Sequence, residues 1–371
     1  MPENGYLTPS EAVSYLLKRE LLHPEHIVAG DLTVADISRR HHNYKVAVGR
    51  ASGYVLKQGI GKEKAPAVAR EAAMYQVLES NGTGLRRYLP RFYGYDAEAN
   101  ILILELVEGA QNLREYHVQQ GHASILLARA LGNALGTLHR TVERDKKDEK
   151  LAADPPAWIL SVHRPTSKFF HECSGANLQL IRIVQQFSEF GEHLDGLRAG
   201  WQTEALIHRD IKWDNCMVFG KSPSARKTRL CMIDWELAGV GDPCWDVGSV
   251  FNDYLSFWLL SIPVTGEMPP DRFLELARFP LEKMQPALLS FWESYVKKRG
   301  LDSAAADRSL LRSVRYGAAR LVQTAFEQMQ MSMQLTGNIV CFLQLSLNML
   351  QRPEEAAGRL LGLPIRGMRL P

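Results

Sequence analysis

The segment "LIHRDIKWDNCMV", residues 206–218, constrains this chain more than any other stretch. Two apolar, strand-like runs enclose His208, Arg209, Asp210, Lys212, Asp214 and Asn215. Crowding ionisable groups between buried strands is costly unless they are paired or used. Asp210 and Asn215 have the H-x-D-x-x-x-x-N spacing, which supplies a carboxylate to take a hydroxyl proton and an amide to bind a metal. Phosphoryl transfer asks for such a set: an in-line hydroxyl, a divalent cation against the phosphate charge, and a carboxylate base.

Mg²⁺ prefers hard oxygen ligands, so a second carboxylate is expected from elsewhere. "NCMVFG" (215–220) and "RLCMIDW" (229–235) read as a hairpin across the basic turn "KSPSARKT". A hairpin returns its second strand beside its first, which places Asp234 near Asn215. Further on, "GVGDPCWDVGSV" carries Asp242 and Asp246. Asp246 reads either as a helix N-cap or as a buried carboxylate tying down the backbone of the catalytic loop, the latter preferred.

With 371 residues, 46% of them hydrophobic, the chain can bury a sizeable core in about two domains. Its 44 basic and 41 acidic residues nearly cancel, so nothing global calls for nucleic acid or an anionic membrane. The start, "MPENGYLTPSEAVSYLL", shows no basic and then apolar signal pattern. Apolar runs such as "FWLLSI" are too short to span a bilayer. Cys173, Cys216, Cys231, Cys244 and Cys341 form no C-x-x-C pair, which points to buried thiols in a cytoplasmic protein.

Thr8 and Glu11 form a capping box with Pro9 at the first helical position, so a helix opens there. Strand-like runs follow at 32–37, 44–48 and 53–59, and then an apolar-periodic segment that reads as a helix from Pro66. "RFYGYD" and "NILILELVEG" return to strand character. From Gly109 onward the pattern is helical, as in "ASILLARALGNALGTLHRTV", "NLQLIRIVQQFSEF" and much of 245–350. The expectation is an α+β chain of two lobes with a cleft: residues 1–108, a small antiparallel sheet that holds nucleotide, and 109–371, mostly helical, with the catalytic loop and substrate site.

"IHRDIKWDN" followed by "IDWELAGVGDPCWDVGSV" resembles the aminoglycoside phosphotransferase and choline kinase group of the protein-kinase-like superfamily. The resemblance runs over roughly residues 30 to 330 and is strongest from 201 to 250. It implies a bilobal kinase-like fold, with ATP and Mg²⁺ as cofactors. Asp210 resembles the family's catalytic base, Asn215 and Asp234 its metal ligands, and His208 the histidine supporting the loop. Lys57 in "GYVLKQG" resembles the strand lysine on the α- and β-phosphates, with Glu71 as its helical partner; the plainer alternative is a solvated edge lysine. "LILELVEG" resembles the hinge, where the backbone of Glu105 and Val107 would bind adenine.

Two departures stand out. The phosphate-covering turn, "SRRHHN", has no glycine, so Ser38, Arg39 and their neighbours compensate as donors or form a solvated basic turn. This leaves open a silent nucleotide-binding pseudokinase. The loop reads "HRDIK" instead of the antibiotic kinases' usual pattern, and Lys212 assists the γ-phosphate, as in serine/threonine protein kinases. Trp213 beside it packs in the core or, second, offers a platform to substrate.

The acceptor follows from charge. Residues 305–371 hold eight arginines against four acids, a poor host for a polycationic aminoglycoside. Choline meets the same difficulty, although an aromatic cage would bind it without acids. "NYKVAVGRASGYVLKQG", "YLPRFYGYD", "LELVEGAQNLREYH" and "IKWDNCMV" resemble kinases of lanthipeptide and thioamide-peptide biosynthesis. This implies a Ser/Thr hydroxyl in a precursor peptide, with a separate lyase as partner; a small-molecule alcohol is the rival. The Met-rich "FEQMQMSMQL" (326–335) reads as core packing, or as an adaptable peptide-binding face.

Overall fold

The computed structural model describes residues 5–38, 41–49, 52–80, 84–107, 109–141, 154–220, 228–263 and 274–365. In chain order the helices used below are α1 (Pro9–Lys18), α2 (Pro24–Val28), α3 (Gly61–Ser80), α4 (Leu113–Gln120), α5 (Ile125–Thr141), α6 (Ser167–His171), α7 (Gly175–Gln186), α8 (Ser188–Ala199), α9 (Pro243–Leu260), α10 (Leu281–Arg299), α11 (Ser303–Gln328) and α12 (Gly337–Gln351). The strands are β1 (Leu32–Asp36), β2 (His42–Val48), β3 (Ser52–Gln58), β4 (Phe92–Asp96), β5 (Ile101–Glu105), β6 (Gln111–Asn112), β7 (Ala205–Ile207), β8 (Cys216–Phe219), β9 (Arg229–Met232) and β10 (Gly239–Gly241).

The chain divides into two compact units: residues 1–116 with 214–238, and 117–213 with 239–371. The first is discontinuous, unlike a single cut at 108, because β8 pairs with β6 and so brings the hairpin into this unit.

In the first unit β1–β5 form an antiparallel sheet of order β1-β2-β3-β5-β4. Side chains alternate across a strand, so a strand covered on both faces reads as unbroken apolar sequence. β5, "ILILE", is such a strand. Ile101 and Ile103 join Tyr44, Val46 and Leu56 against Ala12 and Leu16 of α1. The expected capping box at Thr8 and Glu11 is present, with Pro9 at the first turn. Leu56 belongs to that cluster, so the alternation turns its neighbour Lys57 to the other face. There it meets α3.

That helix begins at Gly61, earlier than Pro66, which lies inside it. Gly61 starts it at φ +87°, and a Cβ at Gly59 would meet the Lys64 carbonyl at 2.3 Å, so the opening turn is tucked against the strand end. That local packing, with Glu71 further along anchored on Lys57, holds a helix whose interior contains a proline, a residue that costs about 3 kcal/mol there.

The second unit is helical, apart from the short antiparallel pair β7–β10. The stretch 177–190, read as helical, spans parts of two helices, because Phe187 takes an extended conformation between α7 and α8. α9 is buried from Pro243 to Leu259, which marks it as the central helix. α11 crosses it where two glycines meet. A Cβ on Gly248 would lie 2.7 Å from both Gly317 N and Ser313 O. This close crossing sets the height of every side chain further along α11, including Arg320 one turn on.

Of the Met-rich segment, Met329 is buried, while Met331 and Met333 are exposed. The core-packing reading therefore holds for only part of it.

Candidate active site

The first unit supplies a lysine ringed by carboxylates. Lys57 Nζ donates to Glu71 Oε2 at 2.6 Å and to Asp234 Oδ1 at 2.7 Å, and lies 3.8 Å from Glu236 Oε2. Only 8% of Lys57 is exposed. Burial works against its charge, but Glu71 and Asp234 outweigh it and hold the ammonium above the ordinary lysine range. The solvated-edge alternative for Lys57 is thereby removed.

Glu236 Oε2 is also 2.6 Å from Nε2 of buried His41. That hydrogen bond, with Lys57 adding to it against burial, lowers the Glu236 pKa. Sequence reading missed this pair, as nothing local links positions 195 residues apart.

The hairpin forms as expected, with Cys216 opposite Met232. One step further, Ile233 N donates to Asn215 O at 3.0 Å, so the residue before Asp234 is fastened to Asn215. Asp234 then turns into the left-handed region, φ +67°. Such a conformation costs a non-glycine residue of order 1–3 kcal/mol and needs its surroundings to impose it. Here Lys57 and the hairpin do so. The Asp234 side chain is about 35% exposed.

The remaining residues expected to bind nucleotide are placed as follows. Ser38 closes the β1–β2 turn: its Oγ accepts from Asn43 N at 3.0 Å and its N donates to Asp36 Oδ1 at 2.8 Å. Arg39 lies outside the described residues. Glu105 ends β5, its N bonded to Arg91 O at 2.8 Å and its carboxylate accepting from Arg91 N at 2.9 Å. Val107 O accepts from Ala110 N at 3.3 Å as the chain turns toward β6.

The second unit holds the loop 208–213 from both ends. At its start Asp246 accepts from His208 N at 2.7 Å and Arg209 N at 2.9 Å, and its Oδ2 lies 3.2 Å from Nε2 of buried His139. Asp246 is therefore the tie on the loop backbone, and the N-cap is Asp242. At the loop's end Asp253 accepts from Trp213 N at 2.8 Å. Asp246 and Asp253 are seven residues apart, hence on one face of α9. Trp213 itself is fully buried against His117, Tyr254 and Phe257, which decides for core packing. His208 is also fully buried.

Arg209 takes φ +71°. Trp245 Nε1 donates to the Arg209 carbonyl at 2.9 Å, and the Arg209 guanidinium forms an ion pair with Asp154 at 3.0 Å and donates to Pro155 O at 2.5 Å. Held this way, the loop presents Asp210 with a cation at each oxygen. Lys212 Nζ is 2.7 Å from Oδ2, and Arg320 Nη2 is 3.7 Å from Oδ1. Burial disfavours the Lys212 ammonium, yet Asp210 more than compensates and raises its pKa. Arg320 is buried with its guanidinium over the Trp245 ring. Neither Arg320 nor Asp253 was singled out from sequence, because helix position alone does not announce a distant partner.

A strand lysine paired with a helical glutamate, and a backbone-tied loop bearing an aspartate and a lysine, define a protein-kinase-like phosphotransferase. The family model described as "Phosphotransferase enzyme family" matches residues 33–266, and the chain belongs to that family. It is an ATP-dependent phosphotransferase acting on hydroxyl groups, with a bilobal α+β fold.

Solved structures share the fold. A choline kinase from Cryptosporidium parvum Iowa II superposes with a TM-score of 0.51 at 10% identity, over 95% of this chain and 97% of that one. An aminoglycoside 2′-phosphotransferase solved as its GDP complex gives 0.51 at 14% identity, over 95% and 100%. No curated protein sequence matches the chain significantly. Among the described residues no helix is long and apolar enough to cross a membrane.

Proposed function

We propose that the chain transfers the γ-phosphoryl group of ATP to a Ser or Thr hydroxyl of a ribosomally made precursor peptide. The phosphorylated residue would then be consumed by elimination on a separate lyase. As the hydroxyl oxygen bonds to the γ-phosphorus, its proton passes to Asp210. The bond from that phosphorus to the β–γ bridging oxygen breaks, and ADP leaves. Lys212 balances charge on the moving phosphoryl group, and Lys57, fixed by Glu71, receives the α- and β-phosphates. Ser38, with Arg39 from the sequence expectation, would supply donors to the phosphates, and the backbone of Glu105 and Val107 takes adenine.

Asn215 and Asp234 are the residues that would hold Mg²⁺. The described residues contain no group of three or more His, Cys, Asp or Glu suited to a metal. One carboxylate and one amide fit an ion that completes its shell with phosphate oxygens and water. Bound there, Mg²⁺ would offset phosphate charge.

The observation that carries the acceptor class is the pair of cations on Asp210. A polycationic aminoglycoside approaching that carboxylate meets Lys212 and Arg320 first, which disfavours it. A neutral or acidic peptide meets no such barrier. A small-molecule alcohol is the second reading, favoured by the fold shared with a choline kinase. A silent nucleotide-binding scaffold is the third, motivated by the glycine-free turn. Mass spectrometry of Ser/Thr peptides incubated with the protein and ATP–Mg²⁺ separates them. Gain of one phosphate that disappears with Asp210→Asn supports the peptide reading. Transfer only to small alcohols, or nucleotide binding without transfer, overturns it.

A further inference from the structure

The structure concentrates the arginine excess of the C-terminal helical region on one helix. Arg308, Arg312 and Arg315 follow one another at i, i+4 and i+7 on α11, so they share one face. Like charges at that spacing oppose helix formation, and no acid relieves them within the stripe.

All three line a cavity of about 560 Å³, together with Arg299 from α10. A second hollow of about 340 Å³ adjoins it and shares Arg312 and Arg315. Four guanidiniums therefore face the larger space, whose lining contains a single carboxylate, Glu204. Two of the four are engaged within the fold. Arg312 pairs with buried Asp242 at 2.6 Å, and Arg299 donates to His139 O at 2.5 Å. Arg308 and Arg315 have no carboxylate partner among the described residues, and Nε of Arg312 is buried without an acceptor there. The volume lies in the range of ligand sites.

We propose that this arginine-lined cavity binds an acidic stretch of the acceptor peptide, away from the residue that is phosphorylated. The inference rests on the peptide-acceptor reading above. Positions 308 and 315 are about 10 Å apart along the helix axis. An extended peptide covers about 10 Å in three residues, so carboxylates on a short acidic run can reach the whole stripe. Carboxylates are matched by guanidinium forks, which pair with them two bonds at a time.

The test is binding of fluorescein-labelled hexaglutamate, read by anisotropy at roughly 50 mM salt, where exposed charges are only partly screened. Saturable binding is expected, weakened by at least about tenfold in Arg308→Glu/Arg315→Glu. Arg129→Glu/Arg182→Glu, which makes the same net charge change at exposed sites elsewhere, is expected to alter it by less than about twofold. The milder Arg308→Gln/Arg315→Gln covers the case in which charge reversal disturbs folding.

Equal loss in both double variants, no loss in either, or no saturable binding by the wild type overturns the site. Displacement by equimolar inorganic tripolyphosphate, with the same arginine dependence, reassigns it to small phosphates and overturns the peptide. Neither nucleotide nor turnover enters the measurement. Intact arginine-dependent binding without peptide phosphorylation therefore sinks the acceptor reading alone.

Discussion

The two units solve opposite electrostatic problems. In the first, one cation, Lys57, is ringed by the carboxylates of Glu71, Asp234 and Glu236. In the second, one carboxylate, Asp210, is flanked by Lys212 and Arg320. The first arrangement has negative charge to spare, which suits a unit that would take a divalent cation. The second has positive charge to spare, which suits a unit that would meet a phosphoryl group. They are also held differently. Ion pairs organise the first, whereas backbone N–H bonds to Asp246 and Asp253 organise the second.

The largest expected effect separates chemistry from scaffold. Asp210→Asn keeps the side chain's shape, removes the carboxylate proposed as proton acceptor and relaxes both cations. Its kcat is expected to fall about 10²–10⁴-fold, the usual worth of a general base, with nucleotide affinity little changed. Steady-state kinetics alongside a nucleotide titration checks both. A fall of less than about tenfold would mean that the carboxylate is not the base.

Lys57→Met attacks the opposite charge plan. It leaves buried carboxylates without their cation, and breaking a buried pair from one side costs about 3–5 kcal/mol. Urea unfolding measures the loss. Adding Glu71→Gln to that variant should recover part of it, since the buried charge goes too. A double variant no more stable than Lys57→Met shows that the pair is not the organising contact.

Much of this was legible in sequence where the signal was local. Thr8, Pro9 and Glu11 announced their helix through spacing alone, and the apolar alternation around Lys57 placed it on a strand. The two runs of the hairpin predicted that Asp234 would return beside Asn215, because a hairpin has only one way to close. Asp246 was read as a tie on the loop backbone in preference to an N-cap, and its bonds to His208 N and Arg209 N bear out that choice. What escaped depends on distant partners. Glu236 is joined to His41, and Arg320 reaches Asp210 only because glycines let α11 press against α9. Pro66 was misread because a proline usually marks a helix start, and tertiary packing here overrides that habit.

A smaller effect probes the backbone ties. Asp253→Ala deprives the buried Trp213 N–H of its acceptor, which costs about 1–3 kcal/mol. Because that bond holds the loop's end, kcat should fall while affinity for nucleotide stays unchanged. Loss of nucleotide affinity instead would place the role of Asp253 in the fold at large.

The smallest effect distinguishes the units by pH. His139 is fully buried, and that burial lowers its pKa despite the opposing pull of Asp246. The unfolded chain then binds a proton below about pH 6.5 that the folded chain refuses. Stability contributed by neutral His139 is complete above that value. It falls as pH drops through the window beneath it, by at most about 1.4 kcal/mol per pH unit, and levels off below the folded pKa. Glu236 behaves otherwise: its lowered carboxyl pKa gives stability that is complete above about pH 4.3 and lost only as pH falls further. Mild acid should therefore loosen the second unit through His139 before it touches the Glu236 pair in the first. Urea midpoints at about pH 7.5 and about pH 5.5 for wild type and His139→Gln test this. Glutamine can still donate to Asp246 but cannot titrate, so its midpoint should move less. Equal shifts in the two proteins would assign the acid sensitivity to some other group.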